Sequence, residues 1–305
     1  MSLLIERSGA LATLQDGGRF GVRHLGVTQG GALDWIAQGW ANWLVGNPPA
    51  AVTIEVTLGN FCLLAEADVW LALTGADLGA TLDGDTLLPG RSFLLHKGQR
   101  LTFHYPIRGA RAYLAAPGGF AAPKVLGSCA SIRREGLGGL RGDGAPLQAG
   151  DLLEIHMGNR PVERRLPAGY GLQNTSSAEL PVVLGAQSAD FSGRSLFDAF
   201  NAEWQVDSRA DRMGMRLCGP RLCVARRSMI SEGVPLGAIQ VPPDGQPIVL
   251  LNDRQTIGGY PRLGALTPEA VARLAQCLPG EHERLVPVGL EAAQRRHRQL
   301  LELWN

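Results

Sequence analysis

Seven residues suited to moving protons or holding a ligand stand out among the polar residues of one short, Gly- and Pro-rich segment. In Ile230–Leu266, ISEGVPLGAIQVPPDGQPIVLLNDRQTIGGYPRLGAL, they are Ser231, Glu232, Gln240, Asp253, Arg254, Gln255 and Tyr260. A carboxylate such as Glu232 or Asp253 can take up and return a proton, and a guanidinium such as Arg254 can hold developing negative charge. The same segment carries six Gly and five Pro, which fix the backbone at chosen points. Polar pairs stand at the ends of apolar runs of strand length, so two strand ends could converge on one pocket. The competing reading is a β-turn with an aspartate cap.

Three further constellations carry chemistry-bearing residues. In QDGGRFGVRHLGVTQGGALD (Gln15–Asp34), Gly-rich turns can present backbone N–H groups to an anion, and Arg19 or Arg23 can clamp a carboxylate or phosphate. The same loop also reads as a structural turn with Arg19 and Asp34 paired. It lacks the Gly-Lys-Ser/Thr of a P-loop and does not fit the dinucleotide fingerprint. In GAQSADF (Gly185–Phe191), Asp190 stands just past a strand, placed either to act on a ligand or to cap a helix near Phe191–Phe200. In VDSRADRMGMRL (Val206–Leu217), three Arg and two Asp form either a solvated ion-pair face or a clasp between loops. No zinc-protease or serine-hydrolase motif occurs, and the six His have no ligand spacing, so no metal site is expected.

The elements that must position these residues are mostly strands. Short apolar runs with turn signals at spacings of about 8–12 residues run from Val52 to Leu114, which suggests a sandwich or barrel. Ser2–Ile5, Leu11–Leu14, Leu152–His156, Leu180–Leu184, Leu222–Ala225, Gly237–Val241 and Pro247–Leu251 also read as strands. Apolar residues at helical spacing from Ala32 to Val45 predict a helix. Thr267-Pro268-Glu269 predicts a second helix, with a capping hydroxyl and Pro at the first position, and a third is expected over Gly289–Trp304. The Pro-, Gly- and Ser-rich stretch Arg160–Ser177 reads as a linker between a β-rich domain at 1–165 and a β domain with C-terminal helices at 178–305. Arg19-Phe20-Gly21 and Arg212-Met213-Gly214 open a faint echo between the halves, from duplication or from chance.

Composition narrows the function classes. A formal net charge of +1 with 19% charged residues gives no electrostatic case for nucleic acid or an anionic membrane. No run approaches the roughly 18–20 apolar residues of a membrane span, and the N-terminal residues do not read as a signal peptide. Five scattered cysteines suggest reduced thiols in a cytoplasmic protein.

The motifs QDGGRFGVRHLGVTQGGALD, LAAPGGF, DSRADRMGMRLCG and the Ile230–Gly264 stretch together resemble the biotin-dependent carboxyltransferase / allophanate hydrolase subunit 2 family. The resemblance runs from about Gly9 to Gly289 and is strongest to the 5-oxoprolinase branch. It implies a mainly β (α+β) fold of two cyclophilin-like β-barrel domains with a few peripheral helices. It also implies an ATP-dependent 5-oxoprolinase that opens 5-oxoproline to L-glutamate, with ATP used in the assembled complex. The companions implied are a subunit of the allophanate hydrolase subunit 1 type and a third oxoprolinase subunit. On this reading Asp190, Glu232 and Asp253 manage protons, while Arg19, Asp34, Ser231, Gln240, Arg254, Gln255 and Tyr260 bind substrate. Asp190 and Ser231 match positions that the urea carboxylase branch places near its biotin pocket. Two alternatives stay open: a biotin-dependent carboxyltransferase half-site, and a non-enzymatic regulator that binds a kinase inhibitor.

Overall fold

The computed structural model describes residues 1–156, 158, 163–170, 178–225 and 229–304. Contacts divide the chain into two compact units: residues 1–20 and 30–173 with Trp304, and residues 21–29 with 174–303. Gly21–Gln29 therefore clusters with the second unit, whereas the sequence boundaries placed it in the first. Both units are mainly β with few helices, as expected. Among the described residues no helix is long and apolar enough to cross a membrane.

Unit 1 contains β1 (Ser2–Ser8), β2 (Leu11–Gln15), α1 (Trp35–Leu44), β3 (Thr53–Thr57), β4 (Phe61–Ala65), β5 (Val69–Asp77), β6 (Thr81–Leu82), β7 (Asp85–Thr86), β8 (Arg91–Leu95), β9 (Arg100–Phe103), β10 (Arg108–Ala115) and β11 (Leu152–Glu154). They form two sheets, ordered β11-β1-β4-β9-β6-β7 and β2-β3-β10-β5-β8. One core joins them, with Ile5, Leu63 and Leu101 from the first sheet and Val56, Leu73 and Leu114 from the second. Period-2 alternation in the sequence produces this core, because successive side chains point to opposite faces of a strand.

On α1 the Asp34 side chain accepts from the Ala37 N–H, so this candidate ligand contact serves as the helix N-cap. Gly39 lets Trp304 lie against the helix: a Cβ there would stand 2.5 Å from the indole. Trp304 meets Trp35 and Trp40 edge-on, and Tyr170 packs on Trp40 at 4.9 Å. Part of the expected linker is thus fixed in unit 1, since Arg165 bridges Arg91 and the Leu166 N–H donates to the Gly90 carbonyl. The rest of that stretch falls largely outside the described residues.

Unit 2 contains β12 (Ala178–Leu184), α2 (Gly193–Asn201), β13 (Trp204–Val206), β14 (Gly214–Cys218), β15 (Glu232–Gly233), β16 (Ala238–Gln240), β17 (Ile248–Leu250), β18 (Ile257–Gly258), β19 (Arg262–Leu266), α3 (Pro268–Leu274), β20 (His282–Pro287) and α4 (Leu290–Leu301). Seven strands close a barrel in the order β12-β19-β16-β17-β14-β13-β20, and β15 pairs with β18 in a separate ribbon. The β12–β20 pair is parallel, while the other barrel ladders are antiparallel. The barrel geometry expected for both halves is realised here as a closed ladder; in unit 1 the same mainly-β pattern takes the form of two sheets over one core.

Two local expectations change. Leu222–Ala225 is not a strand beyond a single bridge of Val224 to Phe191. Its N–H groups go instead to the Gly245 carbonyl, Ser195 Oγ and the Asp190 carbonyl. Asp190 is not a helix cap: it ends the short 3-10 turn Ala186–Asp190, and Ser192 caps α2. All five cysteines are free, with Cys62, Cys129 and Cys277 buried and Cys223 exposed.

Candidate functional site

The Ile230–Leu266 segment folds around the β15–β18 ribbon, where Glu232 pairs with Gly258 and Gly233 with Ile257. Two glycines let neighbours approach it. A Cβ at Gly258 would lie 2.5 Å from Gln240 Nε2, and one at Gly259 would lie 3.3 Å from Ser231 Oγ. The ribbon holds Glu232 beside two partners from other elements. Gln187 Nε2 and Arg262 Nη2 both donate to Glu232 Oε1. Arg262 closes the loop through its own N–H to Gln187 Oε1 (2.7 Å) and its Nη1 to the Gly233 carbonyl (3.0 Å). The second carboxylate oxygen, Oε2, has no protein partner among the described residues.

This network lines a cleft of about 530 Å³ in unit 2. The β12–β19 ladder forms one wall, and α4 contributes Leu290, Ala293 and His297. Its lining is chiefly apolar, with a few convergent polar groups, which is the usual build of a small-molecule site.

Two arginines meet at the Val234 carbonyl. Arg23 Nη2 donates to the carbonyls of Val234 (2.6 Å) and Thr256 (3.1 Å). Arg254 Nε reaches the same Val234 oxygen at 3.3 Å, and its Nη1 the Leu251 carbonyl at 3.2 Å. Arg254 is 3% exposed. Burial, and next the Arg23 charge beside it, bring its pKa down to about 9. Asp253, its neighbour in sequence, is occupied differently: Arg212 Nε and Nη2 donate to its two oxygens at 2.9 and 3.0 Å, with both side chains buried.

The sequence matches the family described as carboxyltransferase domain, subdomain A and B, over residues 25–287. The chain belongs to that family. It is 41% identical to the C subunit of 5-oxoprolinase from Escherichia coli (strain K12), over 95% of this chain and 93% of that one. It is 29% identical to urea amidolyase of Saccharomyces cerevisiae, over 95% of this chain but 17% of that protein. The crystal structure of Kluyveromyces lactis urea carboxylase superposes with a TM-score of 0.90 at 24% identity, covering 100% of this chain and 29% of that one. That likeness concerns the fold.

In this carboxyltransferase-family chain the ribbon gathers Ser231, Glu232 and Gln240. Gln240 is buried, and its Nε2 has no hydrogen-bond partner among the described residues. Gln255 is half-buried and Tyr260 is 44% exposed. Asp190 shares its 3-10 turn with Gln187, but the cleft takes Gln187 and not Asp190. In unit 1, Arg19 is 1% exposed and donates to the carbonyls of Val125 (3.0 Å) and Ser128 (3.3 Å), which makes it a tie between loops. Gln187 and Arg262 were not among the residues singled out from sequence. The signal for them was present, because Gln187 lies in the short turn that follows β12 and Arg262 opens β19 just after the Gly258-Gly259 turn.

Proposed function

We propose that this chain is a subunit of an ATP-dependent 5-oxoprolinase that opens 5-oxoproline to L-glutamate with companion subunits and is inactive alone. The observation carrying this reading is the 41% identity to the C subunit of 5-oxoprolinase along nearly the whole of both chains. Opening the lactam joins a water oxygen to its activated carbonyl carbon, breaks the C–N bond and moves a proton from that water to the departing nitrogen. Glu232 suits that transfer, because Gln187 and Arg262 orient it through one oxygen and the other is left to a ligand. ATP supplies the phosphoryl group that activates the lactam oxygen in the assembled complex, leaving ADP, and that group departs as inorganic phosphate when glutamate forms. Within unit 2, Arg23 and Arg254 are the groups that fit a phosphoryl or carboxylate oxygen.

The test combines the chain with a subunit of the allophanate hydrolase subunit 1 type, a third oxoprolinase subunit, 5-oxoproline and ATP, and follows glutamate. Glutamate should form only when all are present, and Glu232→Gln should slow it by about 10²-fold or more. An equal rate without this chain would overturn the reading. The relation to urea amidolyase favours a second reading, a biotin-dependent carboxyltransferase half-site. The amide of Gln187 and the apolar cleft walls suit a ureido ring and its tail. Turnover dependent on a biotinylated carrier and bicarbonate, not on 5-oxoproline, would select it.

A further inference from the structure

The carboxylates around the ribbon are already matched to arginines, Glu232 to Arg262 and Asp253 to Arg212. That matching leaves Arg23 and Arg254 over. Among the described residues neither has a carboxylate partner, and both converge on the Val234 carbonyl oxygen. Fastening a loop to a carbonyl needs one donor and no net charge. Holding two guanidiniums together, one of them buried, is costly unless an anion joins them. The chain nonetheless maintains the arrangement: the Thr28 hydroxyl donates to the Arg254 carbonyl at 3.2 Å, and Gly21–Gln29 clusters with unit 2 as a whole.

We propose that Arg23 and Arg254 form an oxyanion-binding site that receives the carboxylate or phosphoryl group of a small-molecule ligand. This rests on the reading above that the Ile230–Leu266 segment handles such a ligand. Guanidinium groups present paired N–H donors that match the two oxygens of either anion, and such charge-assisted bonds are stronger than neutral ones. Arg254, fixed by burial, sets the position, and the half-buried Arg23 supplies the more accessible guanidinium.

Isothermal titration of the full chain distinguishes the possible ligands. The probes are 5-oxoproline, inorganic phosphate, and 2-pyrrolidinone, which keeps the lactam but lacks the carboxylate. At least one anion should bind, and 2-pyrrolidinone should bind at least about tenfold more weakly than 5-oxoproline if the carboxylate is the group held. Competition between phosphate and 5-oxoproline would place both chemistries on the same pair. Arg23→Gln should weaken the anion at least about tenfold, with Arg23→Lys intermediate. Circular dichroism establishes that each variant is folded, and the Arg23 variants decide the matter if Arg254→Gln does not fold. No heat from either anion at about 10 mM, or unchanged affinity in Arg23→Gln, would overturn the proposal. Glutamate formation is a separate readout: turnover without anion binding would remove this site and leave the proposed function, and binding without turnover would do the reverse.

Discussion

Glu232 carries an asymmetry on which its proposed role in proton transfer rests. One oxygen accepts from Gln187 and Arg262 together, while the other has no hydrogen-bond partner among the described residues. Replacing Arg262 by Gln removes the orienting charge but leaves the carboxylate, so kcat in the assembled complex should fall while Tm changes little. A matching loss of Tm, read by calorimetry, would make Arg262 a fold residue instead. At this scale the sequence was partly legible. Polar residues crowded among Gly and Pro marked Ser231, Glu232, Gln240 and Arg254, because such composition is needed only where backbone must pass close to something. Which arginine answers which carboxylate was not legible. Asp253 and Glu232 look alike in the sequence, yet Asp253 is buried against Arg212 and Glu232 borders a cleft. Pairing of that kind is set by contacts distant along the chain, and local composition carries no record of them.

Between elements, the Arg212–Asp253 pair fastens the loop before β14 to the loop after β17. Asp253→Ala should cost about 3–5 kcal/mol, because it breaks a buried, doubly hydrogen-bonded ion pair. The double replacement Arg212→Met with Asp253→Leu should recover much of that loss in urea denaturation. A similar test applies to the β12–β19 ladder at Gly264. A Cβ there would sit 2.3 Å from the Val183 carbonyl, which is backbone and cannot move aside. Gly264→Ala should therefore lower stability by about 1–3 kcal/mol or more, seen as a lower urea midpoint. Strands with apolar alternation, such as β1, β5 and β10, were readable in advance. The expected helices at Ala32–Val45 and after Thr267 also formed, because their capping signals are local. β13, β14 and β20 were not readable. In β20 the inward position next to Leu285 is Glu283, so the apolar period that signals a strand is broken at the residue that matters.

Across the whole molecule, that same Glu283 ties stability to pH. It is buried, accepts from the Cys277 thiol at 3.0 Å through Oε1, and has no partner for Oε2 among the described residues. Burial raises its pKa to about 7 from the ordinary 4.5, against the opposing pull of the Cys277 hydrogen bond and the Arg273 charge. The folded state thus holds a proton that the unfolded chain has released between those values. Stability is greatest below about pH 4.5 for this group and falls as pH rises toward and through 7. At about 1.4 kcal/mol per pH unit, the loss is at most about 3.5 kcal/mol. Thermal unfolding between pH 5 and 8 should show the decline, and Glu283→Gln should flatten it; an unchanged slope would assign the dependence to other groups. The parallel β12–β20 pair has a further consequence, one of timing. A ribosome makes about 5–20 residues per second, so the roughly 100 residues between these strands delay their meeting by about 5–20 s. Until β19 is made both lateral edges of β12 lack their native neighbours, and one still does until β20 joins; such edges recruit foreign strands. A nascent chain paused before His282 should accordingly be an aggregation- and protease-sensitive species, and one paused after Pro287 should not.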